Sequence, residues 1–133
     1  MSHLFVYGTL MVPEVAQKIF GRTSVEKAIL QNFKRLKIYL KDQELFYPAL
    51  IKEKSSFTEG IIFRNLSEKE LALIDKYEGE EYKRKLVQVE TKEETLDACC
   101  YIWQANDDYI LKDEWSAEGF REKYLNDFLE GRL

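Results

Sequence analysis

Strand-like and helix-like segments do not alternate regularly along this chain, and that order excludes whole classes of fold. Leu4 to Tyr7 is a short apolar run closed by Gly8-Thr9, the pattern of a buried strand ending in a tight loop. Pro13 suits the first turn of a helix, where its missing N–H is not needed; Val15, Ile19 and Phe20 then form a stripe that Gly21 stops. From Ser24 to Ile51 the pattern turns strand-like, with Leu36, Ile38 and Leu40 alternating against Lys37 and Tyr39. Lys41-Asp42-Gln43-Glu44 is a polar break, Tyr47-Pro48-Ala49-Leu50 opens another extended piece, and Phe57 to Leu66 holds a strand around Ile61-Ile62-Phe63. Tyr82 to Thr91 and Leu96 to Trp103 read as a hairpin across a charged turn. A doubly wound parallel sheet would need a helix at each crossover, and about six strands share only three helices here. The expectation is therefore α+β, a mixed sheet able to curl into a small barrel. No Gly/Ser/Pro-rich linker divides the chain, so residues 1–133 are expected to form a single domain.

The best-marked helix is Ser67 to Glu78. Ser67-Glu68-Lys69-Glu70 is a capping box, in which Ser67 accepts from the Glu70 N–H and Glu70 reaches back. Leu71, Ile74 and Glu78 fall at i, i+3 and i+7, and Gly79 follows as a left-handed stop. Ser116 to Leu129 is expected to be one terminal amphipathic helix with Phe120, Tyr124, Leu125, Phe128 and Leu129 inward.

Composition narrows the chemistry. Asp and Glu outnumber Lys and Arg by 24 to 20, so there is no general electrostatic footprint for nucleic acid or an anionic membrane surface. No stretch approaches the roughly 20 apolar residues that span a bilayer, and the N-terminus lacks the pattern of a secretory leader. Cys99 and Cys100 are adjacent, and on a strand they point to opposite faces; they fit neither a disulfide framework nor a CxxC site. A reducing, cytoplasmic setting is expected. The single histidine is His3, which leaves little for a His/Cys metal site or a histidine-based triad. Cys99 or Cys100 as a nucleophile would need a nearby base, and none is identifiable.

Two places break the structural pattern. Tyr7-Gly8-Thr9-Leu10 follows a buried strand and precedes a helix, where a glycine lets the backbone turn sharply and leaves successive N–H groups outside any ladder. Such a nest holds a carboxylate or an oxyanion; a plain strand-to-helix turn is the competing reading. Glu78 shares the helix face of Leu71 and Ile74, and desolvation and the negative helix end would both raise its pKa toward neutrality. A carboxyl so tuned can take and return a proton; a solvated acid at a helix end, like Glu80 and Glu81, is the competing reading. Asp75 and Lys76 lie off that face and read as solvent charges. Tyr7, Tyr47, Tyr82 and Tyr101 could bond a ligand or simply fill a core.

Taken together, Leu4-Phe5-Val6-Tyr7-Gly8-Thr9-Leu10, Tyr47-Pro48-Ala49, and Asp75-Lys76-Tyr77-Glu78-Gly79 before Tyr82-Lys83-Arg84 resemble the gamma-glutamylcyclotransferase superfamily, nearest its avirulence-induced-gene-like branch. The resemblance extends to Tyr101-Ile102-Trp103 and to Trp115 and Phe120-Arg121. It implies a small mixed β-barrel flanked by helices, with Tyr7, Gly8, Thr9 and Leu10 binding substrate and Glu78 as catalytic acid/base. The implied substrate is a small gamma-glutamyl compound, cyclised to 5-oxoproline without metal or cofactor. A non-catalytic module that binds a small carboxylate or a partner's acidic end would use the same loop, without needing Glu78.

Overall fold

The computed structural model describes residues 2–40, 45–104 and 114–131, with the backbone alone at 39–40 and 45–47. Its strands are β1 (Ser2–Val6), β2 (Lys27–Leu40), β3 (Leu45–Leu66), β4 (Tyr82–Glu90) and β5 (Thr95–Trp103), closed into a barrel in the order β1-β3-β2-β4-β5. β1 runs antiparallel to β3 and parallel to β5, so the sheet is mixed. β4 and β5 form the expected antiparallel hairpin, and β4 meets β2 through Ile29 and Glu90. The helices are α1 (Pro13–Phe20), α2 (Glu68–Glu78), α3 (Ala117–Lys123) and α4 (Leu125–Leu129). This is the α+β barrel flanked by helices that the sequence implies.

The central position of β1 explains its unbroken apolar run, because both of its faces are covered. Phe5 points into the barrel with Ala28, Leu30, Leu50, Ile62, Val89 and Cys100. Leu4 and Val6 point outward beneath Val15 and Phe20 of α1, Leu71 and Ile74 of α2, and Phe120 and Leu125 beyond. Cys99 packs on that outer layer while Cys100 faces inward, and both thiols are free.

Three expectations change. The extended piece at Tyr47 and the strand near Ile61 are one strand, β3, rather than two. It stays continuous because residues 53–56 bulge opposite Asn32: Gln31 pairs with Phe57, and Phe33 already pairs with Lys52. Asn32 and Ser55 take left-handed backbone there, at φ 67° and 73°. The polar break at 41–44 lies outside the described residues. The terminal helix is broken at Tyr124 into α3 and α4, with Ser116 capping the first through the Gly119 N–H. Past the break, Phe128 meets Tyr77 and Phe120 edge-on, while Leu129 is left 39% exposed instead of packing inward. Finally, Gly79 stops α2 with the expected positive φ, 89°, but its ψ of 179° departs from the left-handed cap and belongs to a region that glycine alone enters freely.

Candidate functional site

The loop after β1 is a single 3-10 turn. Met11 N–H bonds the Gly8 carbonyl and Val12 N–H bonds the Thr9 carbonyl, each at 3.0 Å. The amides of Gly8, Thr9 and Leu10 lie ahead of these bonds, as the first donors of any helical turn must. Gly8 has φ −122°, so positive φ is not what calls for glycine here. The constraint is contact: a β-carbon on Gly8 would sit 2.6 Å from Cγ of Pro48 on β3. The base of the loop is held by Arg35, whose Nη1 donates to the Tyr7 carbonyl at 2.9 Å and whose guanidinium lies over the Trp115 ring. Nothing local in the sequence marks Arg35, which reaches the loop from β2.

Glu78 arrives from the opposite side on the last turn of α2. Both halves of the capping box form at Ser67 and Glu70, and Leu71 and Ile74 are buried on the stripe that ends in Glu78. Glu78 keeps partial solvent contact as a cavity-wall residue, yet enough protein surrounds its carboxyl that burial pushes its pKa up to about 8. The cause is desolvation. Glu80 and Glu81 are exposed beyond the Gly79 stop.

These two pieces face one cavity of about 310 Å³, lined by Tyr7, Gly8, Thr9, Leu10 and Glu78 together with a ring of aromatic side chains. Tyr82 and Tyr101, weighed from the sequence, are part of that ring; the Tyr47 side chain lies outside the described residues. Pro48, Tyr77, Phe120, Tyr124 and Phe128 also line it, and residue type alone did not distinguish them from core. Among the described lining residues Glu78 is the one carboxylate, and none is cationic. Four of the tyrosine hydroxyls are tied into the protein. Tyr7 donates to the Tyr101 carbonyl, Tyr82 to the Pro48 carbonyl at 2.7 Å, and Tyr101 to Asp75 at 2.5 Å, while Tyr77 and Thr9 share a bond at 2.5 Å. Asp75 is therefore more than the solvent charge the helix face suggests. It holds Tyr101 and pairs with Arg84.

The cavity thus brings together the Gly8–Leu10 turn, a carboxyl of raised pKa and aromatic walls. The family model described as "Gamma-glutamyl cyclotransferase, AIG2-like" matches residues 4–117. "AIG2-like protein D" of Arabidopsis thaliana is 31% identical over 134 residues, covering 98% of this chain and 86% of the relative. "Protein AIG2 C" of the same plant is 32% identical, covering 97% and 78%. A solved structure titled "Gamma-glutamyl cyclotransferase" superposes with a TM-score of 0.68 at 16% identity, covering 98% of this chain and 85% of that one; at that identity the likeness is one of fold.

Proposed function

Because the chain belongs to the AIG2-like gamma-glutamyl cyclotransferase family, we propose that it cyclises a gamma-glutamyl amide to 5-oxoproline and releases the amine or amino acid. The observation that carries this reading is a carboxyl with a pKa of about 8 facing the same cavity as the Gly8–Leu10 amides.

Such a substrate holds its own nucleophile. Its α-amine can reach the side-chain carbonyl and close a five-membered ring, so neither a protein nucleophile nor an activated water is called for. The α-ammonium must first lose a proton. Ionised Glu78 accepts it, and the freed nitrogen attacks the γ-carbonyl carbon. As the tetrahedral adduct collapses, protonated Glu78 gives its proton to the departing nitrogen and the amide C–N bond breaks; the second proton of the attacking nitrogen then passes through the same carboxylate to the released amine, leaving the neutral lactam. One carboxyl returns to its starting state, and a pKa of about 8 suits it to both transfers. The role assigned to Tyr7, Gly8, Thr9 and Leu10 is to hold the substrate curled, with their amides on its carboxylate or on the developing oxyanion. The substrate is a small molecule, and free Cys99 and Cys100 suit a reducing compartment such as the cytoplasm.

A panel of gamma-glutamyl amides incubated with folded protein, with 5-oxoproline followed by mass spectrometry, tests the reading. Release of 5-oxoproline from at least one member is the expected result. Binding without turnover across the panel would instead assign the cavity to a non-catalytic carboxylate-binding module.

A further inference from the structure

Tyr101 stands where the two halves of the cavity meet. It lies on β5 directly opposite Arg84 on β4, so both side chains leave the same face of the hairpin. Asp75, in the last turn of α2, docks onto this pair. One of its carboxylate oxygens accepts the Tyr101 hydroxyl at 2.5 Å, and the other lies 3.5 Å from the Arg84 guanidinium. The main-chain carbonyl of the same aspartate takes the Gly79 N–H at 3.1 Å, the bond that closes the helix. Asp75 thus ties the final turn to the barrel with its side chain and ends the turn with its backbone. Glu78 is carried three residues further on that turn.

From the other direction, the Tyr101 carbonyl accepts the Tyr7 hydroxyl at the start of the Gly8 loop. Among the described residues, no hydrogen bond or ion pair holds the Glu78 carboxyl itself, and burial alone shifts it. Its orientation must therefore come from the turn that bears it. The Asp75–Arg84 pair is partly exposed, so it contributes little to global stability; geometry is what it can supply.

We propose that Tyr101 is a positioning residue, acting through Asp75 and Arg84 to hold Glu78 in place against the Gly8–Leu10 loop. Its kinetic consequence rests on the cyclotransferase reading; its structural consequence does not.

Tyr101→Phe is the test, because it removes the hydroxyl while keeping the ring and the carbonyl that Tyr7 uses. The first readout is the titration of Glu78 by carbon-13 NMR in ligand-free protein. Freed from its anchor, the turn admits water, and the Glu78 midpoint moves down from about 8 toward the ordinary carboxylate range. The groups that feel the charge of Glu78 are Tyr7 from β1 and Cys100 and Tyr101 from β5, and burial raises all three, so they stay neutral while Glu78 titrates. The phenols of Tyr77, Tyr82 and Tyr124 share the cavity wall.

The second readout is kinetic. On a confirmed substrate, kcat falls by about 10-fold to 100-fold with KM changed by no more than about twofold, as misplacement of a reacting group requires. Asp75→Ala behaves like Tyr101→Phe, whereas Asp75→Asn, which keeps an accepting oxygen for Tyr101, retains most of the rate. A folded Tyr101→Phe protein with an unmoved Glu78 midpoint and unchanged kcat overturns the proposal. If that variant does not fold, the same outcomes in Asp75→Ala decide. A change in KM alone makes Tyr101 a wall residue and also overturns it. If the midpoint falls while the parent protein turns over no gamma-glutamyl compound, the positioning role stands and the cyclotransferase reading fails.

Discussion

Gly8 and Pro48 touch with no room for a β-carbon between them, since one placed on Gly8 would lie 2.6 Å from the proline Cγ. The ring belongs to β3, and its carbonyl already receives the Tyr82 hydroxyl, so the strand cannot yield freely. Gly8→Ala is expected to cost about 1–3 kcal/mol of stability through overpacking. It should also raise KM, because the amides proposed to hold substrate move with the loop. Chemical denaturation and steady-state kinetics check the two effects separately. Adding Pro48→Ala should restore part of both losses, a coupling that two independent sites would not show.

Glu78→Gln preserves size and hydrogen-bonding shape but cannot exchange a proton. Turnover is expected to fall toward the upper part of the 10²–10⁴-fold range typical of a general acid–base group, about 10⁴-fold, with binding largely kept. Glu80→Gln and Glu81→Gln are the controls, since both acids are exposed beyond Gly79. If either control loses activity as completely as Glu78→Gln in folded protein, the base has been assigned to the wrong carboxyl.

The raised pKa of Glu78 also has a sign in stability. In the unfolded chain the carboxyl ionises near 4.5, and in the folded protein near 8, so between those values the folded state binds more protons. Stability therefore decreases as pH rises through that window, at a limit of about 1.4 kcal/mol per unit, reduced where water reaches the carboxyl. Glu78→Gln removes the dependence. The variant should be more stable than the parent at pH 8.5, and the gap should narrow toward pH 5, as measured by denaturation at each pH. The kcat/KM profile should have its acid limb near 8, because below it Glu78 and the substrate amine both hold protons.

Gly60 is a steric requirement of the barrel. A β-carbon there would lie 2.3 Å from the Val6 carbonyl oxygen and 2.6 Å from the Phe5 ring, both fixed in β1. Backbone cannot swing aside as a flexible side chain can. Gly60→Ala is expected to destabilise the fold by about 3 kcal/mol or more. An unfolding midpoint within error of the parent's would show that β1 and β3 separate more easily than their packing implies.

Much of the architecture was legible because its causes are local. The Ser67–Glu70 capping box, Pro13 at the start of α1 and Gly21 at its end involve bonds or backbone angles within a few residues. The β4–β5 hairpin joins neighbouring segments, and the apolar run at Leu4–Val6 reports two covered faces wherever its partners come from. Local pattern failed where a long-range contact decided the outcome. β3 stays whole because it pairs with β2 on both sides of the bulge at 53–56, and the break at Tyr124 leaves Leu129 turned out from a stripe that looked continuous.

Local sequence sets both ends of α1, the capped start of α2 and the stripe that puts Glu78 beside Leu71 and Ile74, because each depends on residues within one or two turns of each other. Only the tertiary structure decided that Glu78 shares a cavity with Gly8, that Pro48 closes over that glycine, and that Asp75 answers to Tyr101 and Arg84. It also decided why the Glu78 carboxyl is hard to ionise. The helix end is encoded in the chain next to Glu78, but the desolvation that raises its pKa comes from burial within the assembled barrel and helices, and burial is a property of the assembled neighbourhood rather than of any segment.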